Sequence, residues 1–123
     1  MKEVILGQVV SKANHYMVVP SKNGDKHLIK DNTIKAYEKS FKTQCKVYRN
    51  KHIRRPFHLL VDVYMASWSY DLDNALKTVL DCLQYCGAVD NDNKCVCIVA
   101  TKHIDRKNPR IEFEILETEP TLF

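Results

Sequence analysis

The chain has 123 residues, a mass of 14.3 kDa and a net charge of +4, which suits one domain over residues 1–123 with a single hydrophobic core. The apolar share of 45% and the 3 Gly and 4 Pro exclude low-complexity and collagen-like chains. No apolar run is long enough to cross a bilayer, so no membrane partner is expected, and the start of the chain does not read as a signal peptide.

The first part of the chain predicts strand, turn and then helix. Residues 3–10 read as a strand, residues 17–19 are a short apolar run, and Asn23-Gly24 signals a tight turn. A helix is predicted over about residues 33–48, with Asp31 or Asn32 as its cap. Apolar side chains at helical spacing define its buried face: Ile34, Tyr37, Phe41, Cys45 and Tyr48.

The second part predicts a central strand, a clear helix and two further strands. Residues 57–66 form the strand, in which Asp62 is expected to face solvent or to be paired. The helix runs over about residues 72–86 and ends at Gly87, a natural helix terminator. Strands follow at about residues 94–102 and 110–116, and we expect these two to pair as an antiparallel hairpin. This order predicts an α+β (mixed α/β) fold, with two helices packed on a mixed sheet.

The positive charge is concentrated in one half of the sequence. Residues 1–60 carry 13 Lys and Arg against 4 Asp and Glu, whereas residues 61–123 carry 6 against 11. Such an asymmetry is expected of a metal-dependent enzyme that acts on nucleic acid. Basic side chains follow the first helix and the connector after it, either as a solvated surface or as a track for phosphates. They are Lys35, Lys39, Lys42, Lys46, Arg54 and Arg55.

Acidic residues gather at the start and just beyond the end of the second helix. Asp71 and Asp73 are about 200° apart on a regular helix, so they can share a ligand only if Asp71 is an extended N-cap. Plain helix capping is the alternative. Asp90 and Asp92 follow the helix about 22 Å from its start, so they can meet the first pair only if the chain folds back.

The carboxylates of this acidic set suit the binding of a hard cation. Three carboxylates without His or Cys suit Mg²⁺, with Mn²⁺ as a substitute. Lys77 lies one turn after Asp73, where it forms an ion pair or stabilises charge on a phosphate. No motif for a small-molecule cofactor is present.

The motif Asp71-Leu72-Asp73-Asn74 with Lys77, followed by Gly87 and Asp92, resembles the RusA family of Holliday-junction resolvases. A weaker similarity links Ser11, Asn14 and Tyr16 to an N-terminal region of that family, and Lys102 falls where the family often has a lysine. This chain departs from the family by separating Asp90 from Asp92, which leaves Asp90 open as the third ligand, and by placing Tyr70 before the motif.

The resemblance implies a cytoplasmic, bacterial or phage-encoded homodimer that nicks two strands of a four-way DNA junction symmetrically. It implies Asp71, Asp73 and Asp92 as ligands of Mg²⁺ and Lys77 as a catalytic lysine. Lys102 joins the basic residues named above as a predicted contact to branched DNA. A two-fold dimer suits paired cuts because it presents two identical sites.

Two other functions are compatible with parts of the sequence. A zinc module could use Cys82, Cys86, Cys95 and Cys97, although their spacing is unusual and buried reduced thiols explain them better. The odd number of five cysteines indicates a reducing, intracellular setting. A non-catalytic nucleic-acid-binding module could use the basic residues together with aromatic side chains such as Tyr16, Tyr48 and Trp68. That module would have no need of clustered aspartates, which repel phosphate in the absence of a cation.

Overall fold

The computed structural model describes residues 1–11, 16–20, 26–30 and 32–118, with only the backbone described for 16–20 and 26–30. The strands are β1 (Glu3–Leu6), β2 (Tyr16–Pro20), β3 (Lys26–Lys30), β4 (Phe57–Met65), β5 (Cys95–Ile104) and β6 (Arg110–Glu117). The helices are α1 (Asn32–Gln44) and α2 (Leu72–Tyr85), and a short 3₁₀ turn spans Asp92–Lys94. The expected α+β architecture, with two helices against a mixed sheet, is confirmed.

The main sheet has the strand order β1-β6-β4-β5. β4 lies at its centre, parallel to β5 and antiparallel to β6, and β6 also pairs with β1. The expected hairpin of the last two strands is therefore wrong, since β4 lies between them. A parallel β4–β5 pair needs a long crossover, and α2 is that crossover.

The hydrophobic core lies between the helices and one face of this sheet. Alternate residues of β4 are buried from Phe57 to Met65, as expected for a strand with one covered face. Phe113 of β6 stacks on Phe41 of α1 and on Tyr48, with ring centroids 5.8 and 5.7 Å apart. The five apolar side chains predicted for the first helix are all buried, which confirms that face.

Several element boundaries differ from those expected. β1 ends at Leu6 rather than at residue 10, because Gly7 adopts a φ of 108° that breaks the strand. α1 ends at Gln44 rather than at residue 48, so Cys45 and Tyr48 join the core from the following turn. β2 and β3 form a separate antiparallel pair, of which the sequence indicated only the first strand. The predicted Asn23-Gly24 turn, the capping residue Asp31 and Asn14 lie outside the described residues.

None of the helices in the described part of the chain is long and apolar enough to cross a membrane.

The hydroxyl of Tyr48 joins three parts of the fold. It donates a hydrogen bond to the carbonyl of Met1 at 2.6 Å and accepts one from the backbone N–H of Ile115 at 3.2 Å. β1 pairs with β6 only as far as Phe113. The next N–H group of β6 along that edge, that of Ile115, donates to the hydroxyl of Tyr48 instead. Glu3 adds a second link by accepting from the backbone N–H of Val47 at 2.6 Å.

Replacement of Tyr48 by Phe is expected to lower the free energy of unfolding by about 1–3 kcal/mol, because it leaves the buried N–H of Ile115 without a partner. Urea denaturation of the two proteins measures the difference. Tyr85→Phe is the control, since that tyrosine is 49% exposed. Equal stability of Tyr48→Phe and the parent protein would contradict the role given to the hydroxyl.

Candidate functional site

Asp71 caps α2 in the conformation that a shared ligand requires. Its φ of −92° and ψ of 135° are extended, and its carboxylate makes no capping hydrogen bond. Among the described residues, the hydrogen bond to that carboxylate comes from Asn74 Nδ2, at a long 3.5 Å. An aspartate at this position ordinarily accepts from the first-turn N–H groups, and the carboxylate of Asp71 does not do so.

Asp73 and Lys77 lie exposed on the first turns of α2. Asp73 is the acidic residue of the first turn, where the helix dipole stabilises negative charge. Within the described part of the chain, neither Asp73 nor Lys77 takes part in an ion pair or a side-chain hydrogen bond. The i,i+4 ion pair that the spacing allowed is therefore not formed, and both charged groups are free to meet a ligand.

Lys102 holds the loop that leads from β4 to Asp71. Its ammonium donates hydrogen bonds to the carbonyl of Trp68, at 3.1 Å, and to the carbonyl of Tyr70. It also lies 5.5 Å from the centroid of the Trp68 ring. Lys102 was predicted to contact DNA, but its ammonium is engaged by the loop next to the aspartates. The sequence held no local signal for this contact, since 32 and 34 residues separate the partners.

The opposite end of α2 is joined to the basic connector before β4. Asn50 and His52 donate backbone hydrogen bonds to the carbonyls of Cys86 and Gly87. Gly87 has a φ of 76°, and a Cβ there would lie 3.0 Å from Asn50 Oδ1, so both the conformation and the close approach require glycine. Asn50 and His52 themselves have positive φ, which is uncommon outside glycine.

Asp90 is engaged by this connector. Arg54 Nε donates to Asp90 Oδ2 at 2.7 Å, and His52 Nδ1 lies 2.9 Å from Asp90 Oδ1. The hydrogen bond from Arg54, followed by that from His52, holds the pKa of Asp90 below its usual range. A carboxylate with both oxygens occupied in this way is a poor candidate for a metal ligand, which favours Asp92 over Asp90.

Asp92 lies at the end of α2 that is remote from Asp71 and Asp73. Its backbone N–H donates to Gln84 Oε1 at 3.1 Å, in the last turn of the helix. At 1.5 Å per residue, the 11 residues from Asp73 to Gln84 span about 16 Å. Across residues 1–11 and 32–118, no three His, Cys, Asp or Glu side chains are grouped closely enough to hold a metal ion. One chain therefore brings Asp71 and Asp73 to the same helix end and leaves Asp92 at the other.

Basic side chains collect near the end of α2 that carries Asp92. Lys42 lies 5.6 Å from the centroid of the Tyr85 ring, and Arg49 donates to the carbonyl of Lys42 at 3.1 Å. Arg54 lies there through its bond to Asp90. The basic residues predicted to bind DNA are exposed: Lys35, Lys39, Lys42, Lys46, Arg54 and Arg55.

The cysteines do not form a zinc site in the described part of the chain. Cys45, Cys82 and Cys86 are buried, and the Cys95 and Cys97 side chains are partly buried on β5. None of the five takes part in a disulfide. The pKa of Cys45 is raised and that of Cys86 is lowered to about 7, chiefly by the hydrogen bond between these two thiols.

The chain was compared with models of known protein families. The model described as Endodeoxyribonuclease RusA matches residues 7–116. No curated protein matches the chain.

Replacement of Arg54 by Met is expected to raise the pKa of Asp90 toward its ordinary value, because the strongest bond to its carboxylate is lost. The lowered pKa stabilises the folded chain above the unfolded-state pKa of Asp90, and this contribution disappears as the pH falls through the folded-state value. Carboxyl NMR titration measures the midpoint directly. Arg106→Met is the control, and an unchanged midpoint in the Arg54 variant would contradict the assignment.

Proposed function

The chain belongs to the RusA endodeoxyribonuclease family, and from this membership we propose that it is a Mg²⁺-dependent enzyme that resolves four-way (Holliday) DNA junctions by paired symmetric nicks. The proposed setting is the bacterial cytoplasm, where the protein of a bacterium or a phage meets recombining DNA. The observation that carries the proposal is the pair of exposed carboxylates, Asp71 and Asp73, at the start of α2.

The residues at this helix end fit a hard divalent cation. Asp71 and Asp73 offer carboxylate oxygens with few competing partners, and oxygen donors are those that Mg²⁺ prefers. When bound, the ion supplies positive charge at the scissile phosphate and lowers the pKa of a coordinated water. Asp71, Asp73 and Asp92 would hold it, and Mn²⁺ would substitute.

Lys77 supplies a positive charge, which the carboxylates cannot. It lies one turn after Asp73, and its ammonium is free of ion pairs within the described residues. A positioned cation near the scissile phosphate stabilises the negative charge that develops on phosphate oxygens in the transition state. We assign this role to Lys77, so that the aspartates hold the cation and the lysine neutralises the phosphate.

The separation of Asp92 from the other two aspartates favours a homodimer. In a single chain Asp92 is bonded to Gln84, which lies about 16 Å along α2 from Asp73, and the helix is too rigid to close that gap. A two-fold dimer can bring the late end of one α2 to the early end of the other, because a two-fold axis perpendicular to an element sets its unlike ends side by side. Each site would then combine Asp71 and Asp73 of one chain with Asp92 of the partner subunit.

The outer edge of β5 is the surface best suited to this pairing. β5 is an edge strand of the main sheet and spans 10 residues without proline. Three apolar side chains of β5 are exposed: Val96 at 39%, Ile98 at 39% and Val99 at 56%. Proteins normally prevent an edge strand from pairing with another chain by placing charged side chains on it or by keeping it short. Antiparallel pairing of two β5 strands about their midpoint would set the turn with Asp92 beside the partner's strand end, where Lys102 contacts the loop before Asp71.

The same arrangement would place basic side chains around the DNA. Arg54 and Lys42 accompany Asp92 at the late end of α2 and would approach the partner's Asp71 with it. Exposed cations contact phosphates without regard to sequence and position the duplex arms. The proposed contacts are Lys35, Lys39, Lys42, Lys46, Arg54 and Arg55.

Replacement of Asp73 by Asn is expected to lower the rate of junction cleavage by at least about 100-fold, because a charged ligand at the reacting phosphate is lost. The assay uses a mobile four-way junction and linear duplex with Mg²⁺, with Mn²⁺ and with chelator. The unaltered protein should cut only the junction, in symmetric pairs, and only with metal. Glu117→Gln, an exposed carboxylate on β6, is the matched control. Junction binding without cutting in either metal would overturn the proposal in favour of a non-catalytic binding module.

Co-expression of Asp73→Asn chains with Asp92→Asn chains is expected to restore cutting that neither variant has alone. If the ligands are shared, each mixed dimer contains one intact site and one site with both defects, so it makes single nicks. About half of randomly assembled dimers are mixed. Adding Val99→Glu to both chains should abolish the restoration, since the charge lies on the β5 edge. A mixture as inactive as the separate variants would refute a shared site.

A further inference from the structure

The loop before the aspartates presents an exposed aromatic ring. Trp68 is the single tryptophan of the chain, and it is 74% exposed two residues before Tyr70. Tyr70 itself is 40% exposed. An isolated exposed aromatic needs no explanation by itself. The position of Trp68, three residues before Asp71, sets it beside the proposed site of cleavage.

Trp68 is held in place although it is exposed. The ammonium of Lys102 donates to its carbonyl at 3.1 Å and lies 5.5 Å from its ring centroid. The same ammonium donates to the carbonyl of Tyr70, so one side chain from β5 anchors both ends of the Trp-Ser-Tyr segment. Ser67 and Ser69 add a hydrogen bond of 2.7 Å between their hydroxyls. A ring positioned in this way loses little conformational freedom when it meets a ligand.

The chemistry of the segment suits a base rather than a phosphate. Residues 66–70 contain no charged side chain, so they offer no ion pair to the DNA backbone. Trp68 offers an aromatic face, on which any nucleobase stacks without regard to sequence. Bases in a continuous duplex are covered on both faces, whereas a base at a branch point, where the stack is interrupted, has one face free.

We propose that Trp68 stacks on a base exposed at the branch point of the DNA and that Lys102 is the residue that positions it. This inference rests on the proposed junction-cleaving function and adds the means by which a branch is distinguished from a duplex. The aspartates act on a phosphate that every duplex also contains. The stacking contact is available only where the base stack is broken.

The single tryptophan makes the proposal measurable in the native sequence. Asp73→Asn protein, which should bind without cutting, is titrated with a four-way junction and with a duplex of the same arm sequence. Stacking is expected to quench Trp68 fluorescence strongly on the junction and to leave it nearly unchanged on the duplex. Emission that is unchanged on a saturating junction, or that is quenched equally by duplex, would overturn the proposal.

Two variants at position 68 separate aromatic stacking from mere bulk. Trp68→Leu is expected to weaken junction binding by about 5- to 100-fold and to leave duplex binding unchanged, whereas Trp68→Phe should retain most of the affinity. Thermal unfolding should be the same for both, because the side chain is exposed. Equal loss for junction and duplex, or equal behaviour of the Leu and Phe variants, would contradict stacking.

The positioning role of Lys102 has its own measurement. Lys102→Met should lower the fluorescence anisotropy of Trp68 in the free protein and reduce the preference for junction over duplex. An unchanged anisotropy would refute this role. Because these experiments measure binding, their failure alongside metal-dependent junction cutting would refute stacking alone. Stacking without cutting in Mg²⁺ or Mn²⁺ would instead refute the proposed function.

Discussion

The parallel pairing of β4 with β5 is the constraint on which the arrangement of the site depends. Two parallel neighbours begin at the same edge of a sheet, so the chain must return across the sheet between them. α2 makes that return, and its two ends consequently lie at opposite edges. The residues before α2 and those after it are separated by the length of the helix, however close they are to it in sequence. Asp71 and Asp92 are divided for this reason.

The two ends of α2 lie beside different sets of charged side chains. Asp71 and Asp73 lie at the start, where the partial positive charge of the helix stabilises carboxylates. Arg54 and His52 lie at the end, tied to Asp90 in the turn that follows. The late end therefore carries basic side chains together with Asp90 and Asp92, whereas the early end carries Asp71 and Asp73. The two-fold dimer proposed above would bring these two ends together.

Both loops at the ends of α2 are anchored by contacts from distant parts of the chain. Lys102 fixes the segment before Asp71, and the close approach of Asn50 to Gly87 fixes the connector at the other end. Neither anchor belongs to the hydrophobic core, which lies between the helices and one face of the sheet. The core supplies stability, while these polar contacts hold the exposed segments that would meet DNA. Because polar contacts hold these segments, a solvent-exposed ring such as that of Trp68 can keep a defined position.

The sequence by itself determined the second helix, its buried face and the acidic motif at its start. Helical spacing and the terminator Gly87 are local signals, so they predicted the helix and its buried face. The extended conformation of Asp71 was only one of two alternatives that the sequence left open. Strand partners are not local: the expected hairpin of β5 with β6 was wrong because β4 takes the place between them. The position of Asp92, the bonds that Arg54 and His52 make to Asp90 and the contacts of Lys102 were likewise decided only by the tertiary structure, because each depends on residues brought together across the sheet or the length of a helix.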